Sequence, residues 1–314
     1  MVNNFEELVV AAQHCPRKRV VVIAPDSQET FAALREIIEK EIAALTLVGN
    51  EELIRENMFA NGESRDEVHI LGASTMLGAL RLAIELVRNG EGDILMKGGI
   101  DTSTMMKAVL QEDAGIRTGK LLSDIFILEY PERIDNKFIM ITDGGMTLAP
   151  DLKNKMELIN NAVDVAHALG NENPKVAVLS ATEFVVPNLQ STLDAAALSK
   201  MNQRGQIKGC TVDGPFALDN AISVEAASEK RIQSSVAGRA EILIAANIES
   251  ANSLAKSTTY FAGLRLAHVI VGGRVPILIP SRADKSDAKL LSVSLGVLMS
   301  HYYHKVSYEA ERID

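Results

Sequence analysis

The sequence predicts an α/β fold with two parallel-sheet domains, and three observations lead to this prediction. Short apolar segments rich in β-branched residues recur along the chain, each about the length of a β-strand. Helical patterns separate most of these segments, and right-handed crossovers turn this order into parallel sheets covered on both faces. The 314 residues exceed the usual size of one hydrophobic core, so we expect two domains.

The elements follow one another in a regular order. Two helices are clearest: one at residues 27–42, and one at 152–166 in which apolar side chains advance by four or three positions. A last helix, at about 286–304, is apolar around most of its circumference, so it is expected to pack on the first domain or in a subunit interface. The predicted strands lie at residues 19–25, 45–50, 68–73, 93–98, 124–130, 138–142, 175–180, 207–212, 241–247, 268–272 and 275–280.

The domain boundary is expected after Asp143-Gly144-Gly145. Pro150 follows this sequence, and a long helix then begins. The first domain therefore comprises residues 1–145 and is completed by the C-terminal helix at 286–314. Residues 146–285 form the second domain.

Composition and charge exclude several classes of protein. A net charge of −9, no Trp and an aromatic content of 4% argue against a nucleic-acid-binding surface. The apolar segments are far shorter than the ~20 residues of a membrane-spanning helix, and the N-terminal segment lacks the basic start of a secretory signal, so we expect a cytoplasmic protein. Cys15 and Cys210 form no metal or redox motif, and the six His residues lack metal-ligand spacing, so no metal site is expected.

Polar residues follow many of the predicted strands, where open parallel sheets bind their ligands. Each also has an ordinary structural interpretation, because Gly permits tight turns and Asp, Ser and Asn cap helices. The signatures of dinucleotide, P-loop, zincin and serine-hydrolase sites are absent from the sequence. The polar strand ends are residues 97–101, 143–145, 180–183, 213–215, 247–249 and 281–284.

Three stretches resemble the phosphate acetyltransferase and phosphate butyryltransferase family. They are residues 98–110 (GGIDTSTMMKAVL), 247–261 (NIESANSLAKSTTYF) and 275–291 (VPILIPSRADKSDAKLL). Their order and spacing match the family across essentially the whole chain. The S-R-A-D-x-x-x-A-K-L form of the last stretch resembles the butyryltransferase branch more than the acetyltransferase branch.

The resemblance implies two domains of the isocitrate and isopropylmalate dehydrogenase type, with the active site in an interdomain cleft. It also implies reversible transfer of a short-chain acyl group between coenzyme A and inorganic phosphate, in a homodimer that has coenzyme A as a substrate and no tightly bound cofactor. In this family the Ser-Arg pair after the last strand lies in the cleft, and the Arg is associated with the phosphoryl group. The matching residues here are Ser281 and Arg282.

The sequence departs from the family at two positions. The acetyltransferase branch has an Asp seven residues after the Ser, where this chain has Ala288, with Asp287 and Asp284 nearby. A family Arg in the first domain is replaced by Lys107, which provides a point charge and no bidentate fork.

The chemistry of acyl transfer gives these residues roles. A thiol with a pKa of about 8.5 needs a carboxylate base at neutral pH, and we favour Asp287 over Asp284, whose position also suits helix capping. Arg282 is expected to bind phosphate and Ser281 to stabilise the charge that develops on the acyl oxygen. The remaining predicted contacts to phosphate or coenzyme A are Arg117, which a turn explains equally well, and Lys107, Asp284, Asn252 and Lys256.

The leading hypothesis is a phosphate acyltransferase that works by direct attack in a ternary complex. A covalent acyl-enzyme is not needed, because Cys210 lies in an apolar segment and is expected to be an inert packed thiol. The alternatives are a phosphate acetyltransferase, a catalytically silent sensor of coenzyme A or acyl phosphate, and an oxidoreductase that binds nicotinamide.

Overall fold

The structure, a computed structural model, describes residues 1–59, 66–131 and 137–311. The chain forms two compact units. The N-terminal unit comprises Phe5–Lys120 and Ala267–Asp314, and the central unit comprises Met1–Asn4 and Leu121–Leu266. Residues 312–314, the end of the predicted C-terminal segment, lie outside the described part.

The described elements alternate between helices and strands, as the sequence predicts. In chain order they are α1 (Phe5–His14), β1 (Lys18–Ile23), α2 (Gln28–Glu39), β2 (Ala43–Gly49), α3 (Glu51–Met58), β3 (Val68–Gly72), α4 (Met76–Arg88), β4 (Ile94–Lys97), α5 (Thr102–Val109), a 3₁₀ turn (Glu112–Ala114), β5 (Ser123–Leu128), β6 (Ile139–Thr142), α6 (Leu152–Ala168), β7 (Lys175–Leu179), α7 (Gln190–Gln203), β8 (Thr211–Phe216), α8 (Leu218–Ile222), α9 (Val224–Glu229), β9 (Ile242–Ile244), α10 (Ile248–Tyr260), β10 (Leu266–Val271), β11 (Ile277–Leu278) and α11 (Ser286–Glu311). The predicted α/β class is confirmed.

The sheet of the N-terminal unit has the strand order β3-β2-β1-β4-β11-β10. All neighbouring pairs are parallel except β10 and β11, which are antiparallel. Every residue of β2 and β4 is buried, as expected for parallel strands covered on both faces. The chain runs from β1 outward to β2 and β3 and returns to place β4 on the other side of β1. The gap between β1 and β4 is therefore a topological switch point, where open α/β sheets bind ligands at the carboxyl ends of their strands.

Side-chain caps determine where the helices of this unit begin. Ser27 accepts the N–H of Thr30 at 3.2 Å at the start of α2, and Thr75 accepts the N–H of Gly78 at 3.0 Å at the start of α4. These bonds satisfy N–H groups that the first helical turn leaves without a partner.

The last helix, α11, packs inside the N-terminal unit against α1, α2, β1, β4 and β11. The apolar residues predicted to be buried along this helix are all buried: Leu290, Leu291, Val293, Leu295, Val297 and Leu298. Packing on its own unit is one of the two positions that the sequence left open. This packing buries the apolar stretch of α11 without a second subunit.

The strands of the central unit follow one another in the sheet in the order β5-β6-β9-β7-β8. The pairs from β6 to β8 are parallel, and β5 pairs antiparallel with β6. The helix α6 begins at a capping box in which Asp151 and Asn154 accept each other's backbone N–H groups.

The boundaries of the compact units differ from the predicted boundaries at 145 and 285. Residues 121–145 belong to the central unit, because β5 pairs with β6 and β6 pairs with β9. The last two strands belong to the N-terminal unit, because β11 pairs with β4. Strand pairing, which joins distant segments, sets these boundaries, whereas the prediction relied on local turn residues.

The predicted strand at 207–212 is displaced in the structure, where β8 spans Thr211–Phe216. Gly209 has a φ of +73° and belongs to the preceding turn. The strand then continues through Asp213, Gly214 and Pro215, which the prediction placed beyond the strand end. A Pro lacks the N–H for a ladder bond but is tolerated in β8, which lies at the edge of this sheet.

Candidate active site

The candidate site lies at the carboxyl ends of β1, β4 and β11, which are neighbours in the sheet of the N-terminal unit. Ile23 pairs with Lys97 across β1 and β4, and Leu278 pairs with Met96 across β11 and β4. The turn after β4 begins at Gly98, and the chain after β11 reaches Ser281. Segments far apart in the sequence therefore meet at the switch point of the sheet.

The turn after β4 is held against the end of β1 by two backbone hydrogen bonds. Gly98 donates to the carbonyl oxygen of Ile23 at 2.9 Å, and Gly99 donates to that of Ala24 at 2.7 Å. A Cβ at position 98 would lie 2.3 Å from the Ile23 carbonyl oxygen, and one at position 99 would lie 2.1 Å from the Asp26 carboxylate. Both positions therefore need Gly for close approach, and Ala24 itself has a φ of +46°.

The predicted site residue Arg282 contacts this turn directly. Its Nη2 donates to the carbonyl oxygen of Gly99 at 2.8 Å. A guanidinium carries five N–H donors in a planar fork, so one bond to Gly99 leaves other donors for a ligand. The side chain is exposed and can reach one.

Ser281 and Asp284 close a tight turn directly after β11. The Oδ2 atom of Asp284 accepts the backbone N–H of Ser281 at 2.7 Å, and the N–H of Asp284 donates to the Ser281 carbonyl oxygen at 3.1 Å. The prediction gave Asp284 a helix-capping role. In the structure its carboxylate closes the turn, while Glu29 accepts the N–H of Ser286, the first residue of α11, at 2.9 Å.

A buried lysine, Lys289, holds this turn from α11. Its Nζ donates to the carbonyl oxygens of Ser281, at 3.4 Å, and of Asp284. Burial lowers the pKa of Lys289, and the charges of Asp284 and Glu29 partly oppose that shift. This side chain fixes the backbone that carries Ser281 and Arg282.

A second buried lysine, Lys97, ends β4 and is only 5% exposed. Burial lowers the pKa of Lys97, the nearby Arg282 guanidinium lowers it further, and Asp284 and Asp101 oppose the shift. Within the described residues its ammonium makes no hydrogen bond or close ion pair. It is thus a cation at the carboxyl edge of the sheet with unused donors.

Asp101 caps α5 beside these cations. Its Oδ2 accepts the Ser103 hydroxyl at 2.7 Å and the Thr104 N–H and hydroxyl at 2.9 and 3.0 Å. These hydrogen bonds lower the pKa of Asp101 to about 2. The carboxylate therefore stays ionised at any pH at which the site would work.

The structure brings three of the predicted residues together: Ser281, Arg282 and Asp284. Asp287 lies on the first turn of α11 and is exposed. Lys107 lies in the last turn of α5 and is also exposed.

Arg117 lies elsewhere in the N-terminal unit. It forms an isolated β-bridge with Gly273, which precedes β11, whereas Ser281 follows that strand. The structure therefore places Arg117 at the opposite edge of the sheet from Arg282. The reason is that β10 and β11 are antiparallel, so the turn between them points away from the carboxyl ends of β4 and β11.

Asn252 and Lys256 belong to the central unit, on α10. The Nδ2 atom of Asn252 donates to the Gly144 carbonyl oxygen at 2.9 Å and so fixes the turn after β6. The side chain of Asp143 in the same turn is buried and accepts the backbone N–H groups of Gly145, at 3.0 Å, and of Thr147, at 2.8 Å. Burial raises the pKa of Asp143 despite these bonds. Lys256 is exposed.

Sequence reasoning missed Lys97 and Lys289. Lys97 is the first residue of one of the predicted polar strand ends. Its position at the end of an apolar segment did not indicate that its charge is unpaired. Lys289 belongs to the A-K-L part of the family-like stretch. A Lys at a buried position of an apolar helix is a usable signal, because lysines are rarely buried unless they are paired.

The expectation about Cys210 can be compared with the structure. Cys210 is buried, as expected, and burial raises the pKa of its thiol to about 11. The described residues include no group of three or more His, Cys, Asp or Glu side chains placed to hold a metal ion. None of the described helices combines the length and the hydrophobicity that crossing a bilayer requires.

The sequence is similar to proteins of one family. A family model described as phosphate acetyl/butaryl transferase matches residues 73–297. A phosphate butyryltransferase of Clostridium beijerinckii is 41% identical over 300 residues, which cover 96% of this chain and 99% of that protein. A phosphate acetyltransferase of Thermotoga maritima is 49% identical over 220 residues, which cover 70% of this chain and 74% of that protein.

The fold is also similar to solved structures. A crystal structure of a branched-chain phosphotransacylase from Enterococcus faecalis V583 aligns with a TM-score of 0.79 at 28% sequence identity. The alignment covers 90% of this chain and 99% of that one. The match extends over nearly the whole chain, as does the sequence similarity to the butyryltransferase.

Proposed function

The chain belongs to the phosphate acetyl/butaryl transferase family, and from this premise we propose that it reversibly transfers a short-chain acyl group between coenzyme A and inorganic phosphate. Butyryl-type chains are the proposed substrates. The butyryltransferase relative is 41% identical over 96% of the chain, whereas the phosphate acetyltransferases that align over a comparable share of the chain, 94–98%, are 34–36% identical.

One observation carries the assignment of the phosphoryl end. The Nη2 atom of Arg282 is fixed on the Gly99 carbonyl oxygen at 2.8 Å, at the carboxyl edge where β1, β4 and β11 lie side by side. This bond orients the guanidinium and leaves donors available for a phosphoryl group. The cations Lys97 and Lys289 raise the positive potential around it, which favours a dianion.

The proposed reaction is a direct displacement. In the direction of thioester synthesis, the sulfur of coenzyme A attacks the acyl carbon of an acyl phosphate. A C–S bond forms, the bond from the acyl carbon to the phosphate oxygen breaks, and phosphate leaves with that electron pair. The thiol proton passes to a carboxylate base, so atoms and charge balance without any further reactant.

Asp287 is the proposed base. The Oδ2 atom of the Asp284 carboxylate accepts the Ser281 N–H and closes the turn, which gives Asp284 a structural role. Asp287 is exposed on the first turn of α11, three residues after Asp284. Ser281 carries the proposed hydroxyl donor to the acyl oxygen, where charge develops in the transition state.

The proposed partners of coenzyme A are Lys107, Asn252, Lys256 and Arg117. Three of them are cations, and coenzyme A is strongly anionic. Arg117 has the weakest support, because it lies at the sheet edge opposite Arg282. No tightly bound cofactor is part of the proposal.

The protein is further proposed to be a cytoplasmic homodimer. Large apolar side chains of the central unit, such as Phe184 and Phe261, are 68% and 92% exposed, which supports a protein interface there. Light scattering at micromolar concentration is expected to give twice the chain mass of 33.9 kDa. A mass of one chain would contradict the dimer.

The test of the activity is thioester formation from butyryl phosphate and coenzyme A, followed by absorbance. Acetyl, propionyl and isobutyryl phosphates are compared in the same assay, and butyryl or isobutyryl phosphate is expected to give the highest kcat/KM. A clear preference for acetyl phosphate would make the protein a phosphate acetyltransferase. Binding of coenzyme A without turnover of any of them would favour the sensor instead.

A further inference from the structure

Two buried lysines occupy neighbouring parallel strands and differ in their partners. Lys18 begins β1, is 7% exposed and forms an ion pair with Asp93 at 3.8 Å. Lys97 ends β4, is 5% exposed and makes no hydrogen bond or close ion pair with the residues that the structure describes. The two strands pair directly and in parallel, so Lys18 lies at the amino ends of the strands and Lys97 at their carboxyl ends.

The environment of Lys97 makes its ammonium unfavourable in the unliganded protein. An ammonium offers three donors, and removing it from water without acceptors costs free energy. Arg282 and Lys289 add like charge, which the carboxylates of Asp101, in its capping bonds, and of Asp284, in the turn that it closes, oppose only in part. The nearby carboxylates therefore offset part of the charge of Lys97 but accept no hydrogen bond from its ammonium, whose donors an anionic ligand would satisfy.

We propose that Lys97 binds the phosphoryl group of the substrate together with Arg282. The inference rests on the proposed function and assigns to that reaction a residue to which the sequence gave no role. Lys97 ends the strand that leads into the Gly98-Gly99 turn, and Arg282 is anchored on that same turn. An anion that contacts Arg282 thus also lies beside the end of β4.

The chemistry of the ligand follows from the two donors. A point-like ammonium and a planar guanidinium together suit a compact dianion with several oxygens, such as inorganic phosphate or the phosphate of an acyl phosphate. The acyl chain offers no acceptor for the ammonium. Phosphate groups are also present in coenzyme A, so the experiment separates these two sources.

The experiment compares Lys97→Met with Lys18→Met and with wild type. Thermal unfolding is measured without ligand, with inorganic phosphate and with coenzyme A. A ligand raises the Tm only as far as it binds the folded state, so the phosphate-induced rise reports binding without turnover. In parallel, the KM for phosphate and the KM for acyl-CoA are measured in the direction of acyl phosphate synthesis.

The expected results are opposite for the two lysines. Lys97→Met keeps or raises the Tm without ligand, loses the phosphate-induced rise, and raises the KM for phosphate about 10- to 100-fold, the range of a charge-assisted hydrogen bond. Its KM for acyl-CoA stays near that of wild type. Lys18→Met lowers the Tm without ligand, because Asp93 loses a partner, and keeps the phosphate-induced rise.

Several outcomes would overturn the inference. One is a Lys97→Met variant whose KM for phosphate and phosphate-induced rise in Tm equal those of wild type. Another is a Lys97→Met variant that loses only the rise in Tm caused by coenzyme A. If Lys97→Met does not fold, Lys97→Gln and Lys97→Arg take its place, and equal phosphate binding by the Gln and Arg variants would also overturn it. A wild type without turnover, whose phosphate response still depends on Lys97, would refute the proposed function and leave this inference standing.

Discussion

The Nη2 atom of Arg282 lies 2.8 Å from the carbonyl oxygen of Gly99, a residue 183 positions earlier in the chain. This bond connects the turn after β11 to the turn after β4. The two strands are direct neighbours in the sheet, so the turns at their carboxyl ends meet. The orientation of the guanidinium thus depends on the backbone of the Gly98-Gly99 turn.

Replacing Arg282 with Gln is expected to remove most turnover and little stability. The guanidinium is exposed and contributes one hydrogen bond to the fold, worth about 1 kcal/mol. Its loss from the phosphoryl group is expected to lower kcat/KM at least 100-fold, because the transition state loses a charge-assisted contact. Steady-state kinetics and denaturant unfolding measure the two effects. Unchanged kinetics in Arg282→Gln would make Arg282 a surface charge only.

Adding a methyl group to the turn after β4 is expected to have different consequences at its two Gly residues. A Cβ at position 98 meets the backbone oxygen of Ile23, which has no freedom to move. Gly98→Ala is therefore expected to lower the free energy of unfolding by about 3 kcal/mol and to abolish activity. The atoms nearest to a Cβ at position 99 belong to the exposed Asp26 carboxylate, which can move, so Gly99→Ala is expected to be milder.

The matched controls for this prediction are a double mutant and a helical Gly. Adding Asp26→Ala to Gly99→Ala removes the clash and is expected to restore stability. Gly296→Ala in α11 meets side-chain atoms only at 3.4 Å or more and is expected to stabilise the protein by about 0.5 to 1 kcal/mol. Chemical denaturation measures all of these variants. Equal losses at positions 98 and 99 would contradict the close-approach argument.

The proposed base makes a prediction about pH. Asp287→Asn is expected to lower the rate of thioester synthesis 100-fold or more at pH 6 to 7, because the thiol of coenzyme A is then protonated. The loss is expected to shrink above the thiol pKa of about 8.5, where the thiolate forms without help. In Asp284→Asn the amide oxygen still accepts the Ser281 N–H, so a smaller loss with little pH dependence is expected. The reverse pattern would make Asp284 the base.

The lowered pKa of Lys97 predicts how phosphate affinity changes at alkaline pH. The Lys97 ammonium loses its proton at a lower pH than an ordinary lysine, so the KM for phosphate is expected to rise as the pH passes through that lowered pKa. A guanidinium stays charged across this pH range, so Lys97→Arg is expected to lack this rise. Asp284 raises the pKa of Lys97, so Asp284→Asn is expected to move the rise to lower pH. A KM profile that is identical in wild type and Lys97→Arg would speak against the assignment.

The buried thiol of Cys210 is expected to take no part in the reaction. Its pKa of about 11 leaves roughly one molecule in ten thousand as thiolate at pH 7. Cys210→Ala is therefore expected to keep its turnover within about twofold, with a loss of about 1 kcal/mol of stability from the cavity that it leaves. Rapid-quench experiments are expected to find no acyl group attached to the protein. A trapped acyl-thioester on Cys210 would contradict direct attack.

The sequence by itself determined the elements and the local motifs. A strand that is buried on both faces must be apolar along its length, so the apolar segments predicted all strands but β8 closely. The Ser281-Arg282 pair was also recognisable from local sequence, because its neighbours in the chain carry the resemblance to the family. The apolar residues of α11 predicted a buried helix, and its interior residues are buried.

Only the tertiary structure decided which distant residues meet. The insertion of β4 between β1 and β11 placed Lys97 beside Arg282, and the antiparallel pairing of β10 and β11 placed Arg117 at the other edge. The tertiary structure also decided that the Asp284 carboxylate closes the turn after β11 and that the Lys289 ammonium donates to carbonyl oxygens of that turn. Hydrophobic periodicity is a local property that fixes which residues are buried, whereas strand order depends on pairing between segments that no local pattern encodes.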